Sequence, residues 1–178
     1  DLDTGVFTVT WEDVTAVLGN PVDIKARRFT AAGVPLGPEF TVNTTTDDAQ
    51  GQPDVAYGPN GESAIVWAGD PLPGGDLLDI FMQVFDPLGT AIGGEIQVNT
   101  SVTGEQDRPT IQFLPDPDPQ GRVQLVVAWR DVVSDSDNSP NGTGHSYKCF
   151  SIDDGPTQIF ADGFESGDTS SWSSETQN

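Results

Sequence analysis

Ser63-Ala64-Ile65-Val66-Trp67, Asp79-Ile80-Phe81-Met82-Gln83-Val84-Phe85 and Glu95-Ile96-Gln97-Val98-Asn99 are three runs of strand length, and parts of them are written twice. Trp67 repeats Trp11, Asp79-Ile80 repeats Asp23-Ile24, and Phe85 repeats Phe29. Gly89, Gly93 and Glu95 repeat Gly33, Gly37 and Glu39, and Val98-Asn99-Thr100 repeats Val42-Asn43-Thr44. Gln106 and Pro109 then repeat Gln50 and Pro53, all at a spacing of 56 residues without a gap. Self-similarity at one fixed period marks a repeat architecture. What recurs here is turns and apolar positions, which describes a scaffold rather than an active site.

Each period holds four extended runs. In the complete unit these are Asp54–Tyr57, Ser63–Trp67, Asp79–Phe85 and Glu95–Asn99, separated by turns such as Gly58-Pro59-Asn60-Gly61 and Asp86-Pro87-Leu88-Gly89. β-Branched and aromatic residues bounded by Gly, Pro and Asn are the signature of strands. Ser63–Trp67 reads as a strand buried on both faces. No window carries a capped apolar stripe of helical period, so almost no helix is expected.

The third unit opens at Pro109 and has a turn lengthened by six residues, Pro115 to Gln120. Its second strand again ends in Trp, at Trp129, and Ser146–Ile152 and Thr157–Phe160 supply its third and fourth. The first unit begins at its second strand, Phe7–Trp11, with no counterpart of Asp54–Tyr57. The expected organisation is an incomplete unit over 1–51, complete units over 52–107 and 108–160, and a tail over 161–178. Trp11, Trp67 and Trp129 are expected in equivalent core positions.

The chain has 178 residues, 28 acidic against 7 basic, for a net charge of −21. Nucleic acid needs a basic face, so it is not an expected partner. No stretch is long and apolar enough to insert in a membrane as a helix. The acidity fits an extracellular protein, and the opening Asp1-Leu2-Asp3 reads as that of a processed or excised chain. One cysteine, Cys149, excludes an intrachain disulfide and reads as a buried, inert thiol.

The repeat resembles one common in large secreted bacterial surface proteins, carried by Trp67, Asp79-Ile80, Phe85, Gly89, Gly94-Glu95, Val98-Asn99, Gln106 and Pro109. The segment Asp162-Gly163-Phe164-Glu165-Ser166-Gly167-Asp168-Thr169-Ser170 is similar to the C-terminal tail of many secreted bacterial proteins. The resemblance implies an all-β fold of tandem four-stranded antiparallel blades of the β-propeller type, and an extracellular or cell-surface setting. It implies no defined activity. Closed propellers have four to eight blades, so these are too few to close a ring alone.

Chemistry-bearing residues are sparse. The one histidine, His145, sits in a Gly-rich loop, and one His with one Cys serves zinc poorly. Asp135, Asp137 and Asn141 space oxygen ligands as in half of a Ca²⁺-binding loop, without the downstream Glu. They are the candidate cation site, with Ca²⁺ as the candidate cofactor. Asn43, Asn99 and Asn141 stand in glycosylation sequons, but the first two recur with the repeat and read as turn caps.

These features lead to the expectation of a non-enzymatic secreted subunit of an extracellular fibre, surface layer or adhesive assembly. In it, the tail of one chain, anchored by Phe164 and Trp172, adds a strand to the incomplete unit of the next. Self-association would be head-to-tail. The alternative is a surface-ligand module, with a glycan as ligand, within a larger secreted repeat protein.

Overall fold

The computed structural model describes residues 4–14, 22–46, 49–70, 78–100, 104–132, 144–152 and, for the backbone, 159–162. Among these there is no helix. Eleven strands form three antiparallel sheets. Sheet 1 has the order β1(Phe7–Asp13), β2(Asp23–Phe29), β3(Phe40–Thr41). Sheet 2 runs β4(Gln50–Tyr57), β5(Ser63–Gly69), β6(Asp79–Phe85), β7(Ala91–Gln97). Sheet 3 runs β8(Gln106–Phe113), β9(Val123–Asp131), β10(Gly144–Ile152), β11(Ile159–Asp162). Within each sheet, sequence neighbours are also spatial neighbours, so every connection is a local antiparallel return.

The sheets pack face to face in chain order, and sheet 2 lies in the middle. Side chains alternate across a strand, so β4, β5 and β6 of sheet 2 each serve two interfaces. Ile65 and Trp67 pack with Ile24, Ala26 and Val42 of sheet 1. Ala64, Val66 and Ala68 pack with Leu125, Val127 and Trp129 of sheet 3. Every residue of β5 is therefore buried, as its unbroken apolar run requires. β9 instead alternates buried with half-buried residues, because only one of its faces meets another described sheet.

The turns follow from their residues. Gly33 and Gly89, one period apart, both hold a positive φ (77° and 89°), a conformation open to glycine at no cost from a Cβ. The lengthened turn of the third unit is organised by Asp118. Its carboxylate accepts from the backbone N–H of Gln120 and Arg122 and from the Arg122 guanidinium. These donors hold the Asp118 carboxyl below its ordinary 3.8, against a desolvation that alone would raise it.

The first strands of sheets 2 and 3 hold a feature that the sequence pattern did not disclose. β4 starts at Gln50, four residues before the expected Asp54, and carries a bulge between Gly51 and Asp54. β8 repeats it between Asp107 and Thr110. At each bulge a non-glycine residue before a proline takes a left-handed conformation, Gln52 at φ 55° and Arg108 at φ 52°. Side chains from one sheet satisfy the bulged backbone of the next. Glu12 Oε1 accepts from Gln52 N at 2.7 Å, and Gln52 Oε1 accepts from Arg108 N at 2.6 Å. Asp54 Oδ2 likewise accepts from Thr110 Oγ1 and Ile111 N in β8.

Candidate functional site: the open face of sheet 1

Two kinds of recurring position define what the repeat uses for itself. The first is polar. Asn43 Oδ1 accepts from Ile24 N while its Nδ2 donates to Asp23 Oδ1 and Thr45 O. One period later Asn99 Oδ1 accepts from Ile80 N, and its Nδ2 donates to Asp79 Oδ1 and Gln106 Oε1. Both side chains are buried, at 4% and 3% exposure, and the amide nitrogen that a glycan would occupy is committed to hydrogen bonds. The Asn residues are structural caps at strand entry, as the recurrence implied. Burial raises the Asp79 carboxyl above its ordinary 3.8, the Asn99 hydrogen bond opposes that, and nearby Asp70 adds to the rise.

The second position is the tryptophan. Trp67 is fully buried, donates from Nε1 to Gln50 Oε1 at 2.9 Å, and stacks with Phe81. Trp129 is also buried, yet its Nε1 has no partner among the described residues. The residue across from the glutamine differs between the two sheets. Gln50 lies opposite Gly69, where a Cβ would stand 1.9 Å from Gln50 Oε1. In sheet 3 the residue opposite Gln106 is Asp131 rather than a glycine. Gln106 instead accepts from Asn99.

Trp11 departs from the expected core position, because it is half-buried. In β1 it pairs with Lys25, Val9 with Arg27, and Phe7 with Phe29. Ile24 and Ala26 face sheet 2, so these alternating residues face the other way. Trp67 and Trp129 show what belongs there: each points at the preceding sheet. No described sheet precedes sheet 1. Val9 is 45% exposed, whereas its counterparts Ile65 and Val127 are 1% and 0% exposed. Phe7, 41% exposed, stacks on Phe29 with ring centroids 5.3 Å apart. An aromatic and aliphatic strip thus lies open on a sheet face, flanked by Lys25 and Arg27.

A second concavity lies between the outer turns of sheets 1 and 2, about 150 Å³, lined by Arg28, Leu36, Phe40 and Leu88. Arg28 Nη2 already donates to Pro87 O there, so the guanidinium serves to tie sheet 1 to sheet 2.

Other sequence-derived sites fare differently. Asp135, Asp137 and Asn141 lie outside the described residues, as do Phe164 and Trp172. Among the described residues no group of three or more His, Cys, Asp or Glu side chains is placed to hold a metal ion. His145 is exposed on β10, and Cys149 is half-buried rather than buried, since it faces the side of sheet 3 with no described sheet against it. No described helix is long and apolar enough to cross a membrane.

Neither a family model nor a curated protein matches this chain. Among solved structures, the crystal structure of a thermostable family-43 glycoside hydrolase is similar at 13% identity with a TM-score of 0.48. The likeness covers 92% of this chain and 58% of that one, so the chain spans little more than half the matched structure. That structure is an enzyme, where a non-enzymatic fibre, layer or adhesive subunit was expected, and the expectation is withdrawn. β1 touches β4 of its own chain through side chains, Thr8 Oγ1 with Tyr57 Oη at 2.7 Å and Glu12 with Gln52. The Trp11 face of sheet 1 has no described sheet against it.

Proposed function

We propose that this chain is a section of a β-propeller-type sheet array and acts as a protein-interaction scaffold that docks a further sheet on the Trp11 face of sheet 1. One observation carries this reading. The same strand position is 45% exposed in sheet 1 and at most 1% exposed in the two sheets that have a predecessor. Apolar and aromatic side chains held in register on a rigid sheet gain about 25 cal/mol per Å² when covered. A contiguous exposed strip of this kind marks an interaction surface.

The repeat supplies its own test. Duplicating residues 1–56 ahead of residue 1 preserves the period, since Trp11 and Trp67 are 56 residues apart. The added β2 and β3 residues then present Ile24, Ala26 and Val42 to Trp11, as they now do to Trp67. In the natural chain Trp11→Ala should cost about 1 kcal/mol, in keeping with partial burial. In the extended chain it should cost about 3–5 kcal/mol, as for a core aromatic. Urea denaturation measures both. Equal costs in the two chains would show that the face is an ordinary solvated surface.

A further inference from the structure

Resting on that docking reading, we infer that the sheet received by the Trp11 face is sheet 3 of a second copy, so that two chains close head-to-tail into a ring of six sheets.

The two ends of the stack are complementary by the rules of its interior. At each internal contact, one sheet offers small and medium apolar residues and the next offers a Trp strand. Sheet 2 covers Val127 and Trp129 with Ala64, Val66, Met82 and Val84. Cross-strand register places Val126, Ala128, Tyr147 and Cys149 at the corresponding positions of sheet 3, on the face turned away from sheet 2. All four are half-buried, with no described sheet against them. Among the described residues one face of each kind is therefore left unmatched: a Trp face on sheet 1 and a covering face on sheet 3.

A second, independent observation concerns the cation on the Trp face. In sheet 3, Lys148 lies over the Phe150 ring, 5.9 Å from its centroid, and its Nζ crosses to the preceding sheet to donate to Val98 O at 2.9 Å. In sheet 1, Arg27 lies over the Phe29 ring at 5.8 Å. The pairs are equivalent: Lys148 is opposite Val127, Arg27 is opposite Val9, and Phe150 and Phe29 follow two residues on. Sheet 1 therefore carries a cation-and-ring pair placed like the one that, in sheet 3, grips a predecessor, with Arg27 Nε also donating to Gly37 O of its own sheet at 3.0 Å. Lys25 and Arg27 also place two of the chain's seven basic residues on this face. Their charge offsets the repulsion between copies of a chain that carries −21 overall.

Closure follows from number. The three described sheets fall short of a ring, whereas six lie within the four to eight of closed propellers. Two identical head-to-tail contacts satisfy both end faces of both copies. Head-to-tail contacts that close in this way give a ring rather than a filament.

The test is the mass of the chain in solution, by light scattering and sedimentation from about 1 to 200 μM at physiological salt. The inference expects a species of twice the 18.9 kDa chain mass at the upper end. Val9→Asp on one face and Val126→Asp on the other should each raise the dimer Kd by about a hundredfold or more, with far-ultraviolet circular dichroism unchanged. Arg27→Glu, a milder change at an already polar position, should weaken the dimer in the same direction. Mixing Val9→Asp with Val126→Asp leaves one intact contact and should give a heterodimer that neither variant forms with itself. Three results overturn the inference: a wild-type monomer throughout, a dimer indifferent to Val9→Asp, or a Val126→Asp chain that still dimerises through like faces. If the wild type is monomeric while the duplicated chain still buries Trp11, docking stands and the second copy is excluded as the occupant.

Discussion

Trp67 and Trp129 occupy the same place in consecutive sheets, yet one indole N–H is satisfied and the other is not, and this sets up a quantitative comparison. Replacing either Trp by Phe keeps a ring in the core and removes the Nε1 donor along with part of the buried area. The lost area costs about 1 kcal/mol at each site, on the usual scale of 25 cal/mol per Å². At Trp67 the substitution also breaks the bond to Gln50 Oε1, worth about 0.5–1.5 kcal/mol net, so Trp67→Phe should cost about 2 kcal/mol. At Trp129 it removes a buried donor that has no described partner, relieving a penalty of about 1–3 kcal/mol, so Trp129→Phe should fall between neutral and about 2 kcal/mol stabilising. Gly69→Ala adds a third arm. Its Cβ would displace Gln50 Oε1 and abolish the same bond by a different route. Trp67→Phe and Gly69→Ala should therefore be non-additive: the double variant loses the shared hydrogen bond once. Urea midpoints at pH 7 with a common slope provide the measurement. Equal costs for the two Trp→Phe changes, or strict additivity of the Trp67 and Gly69 changes, would refute the account of why the repeats differ.

Two further outcomes are expected. Arg108 holds φ 52° at the β8 bulge with its side chain 71% exposed, so Arg108→Gly should stabilise the fold by about 0.5–1 kcal/mol and Arg108→Val should destabilise it; thermal and urea unfolding would register a failure of either sign. The Asp118 carboxyl is held below 3.8 in the folded chain, so its contribution to stability is present above pH 3.8 and is lost as pH falls through the lower, folded value. A stability difference between wild type and Asp118→Asn that persists unchanged from pH 7 to pH 2 would remove that assignment.

Most of the strand framework was legible because it is written in local signals that recur. Trp67, Phe85 and Val98 announce apolar positions, and Gly89 announces a turn, each with a counterpart one period earlier. The buried double-faced strand Ser63–Trp67 needed only its unbroken apolar run. The bulges at Gln52 and Arg108 were hidden because their signal is a backbone dihedral at a non-glycine residue; Pro53 and Pro109, which interrupt ladder donation, were the available hint. The exposure of Trp11 was illegible for another reason. Burial of a strand face depends on what lies across from it, and the residue itself is unchanged. The same holds for Gly69 and Asp131, which stand opposite glutamines that make different hydrogen bonds.

The sandwiched position of sheet 2 bears on how the chain unfolds. In a linear stack each layer is held by its own ladders and by its neighbours, so stability behaves as a sum of unit and interface terms. The middle layer draws on two interfaces and each outer layer on one. Opening should then proceed from the ends inward, with amides of β5 and β6 exchanging only on loss of the whole structure. Amides of β1 and β2 would exchange through cheaper partial openings. A protease acting on such a chain would trim its flanks first and leave a shrinking kernel centred on Trp67.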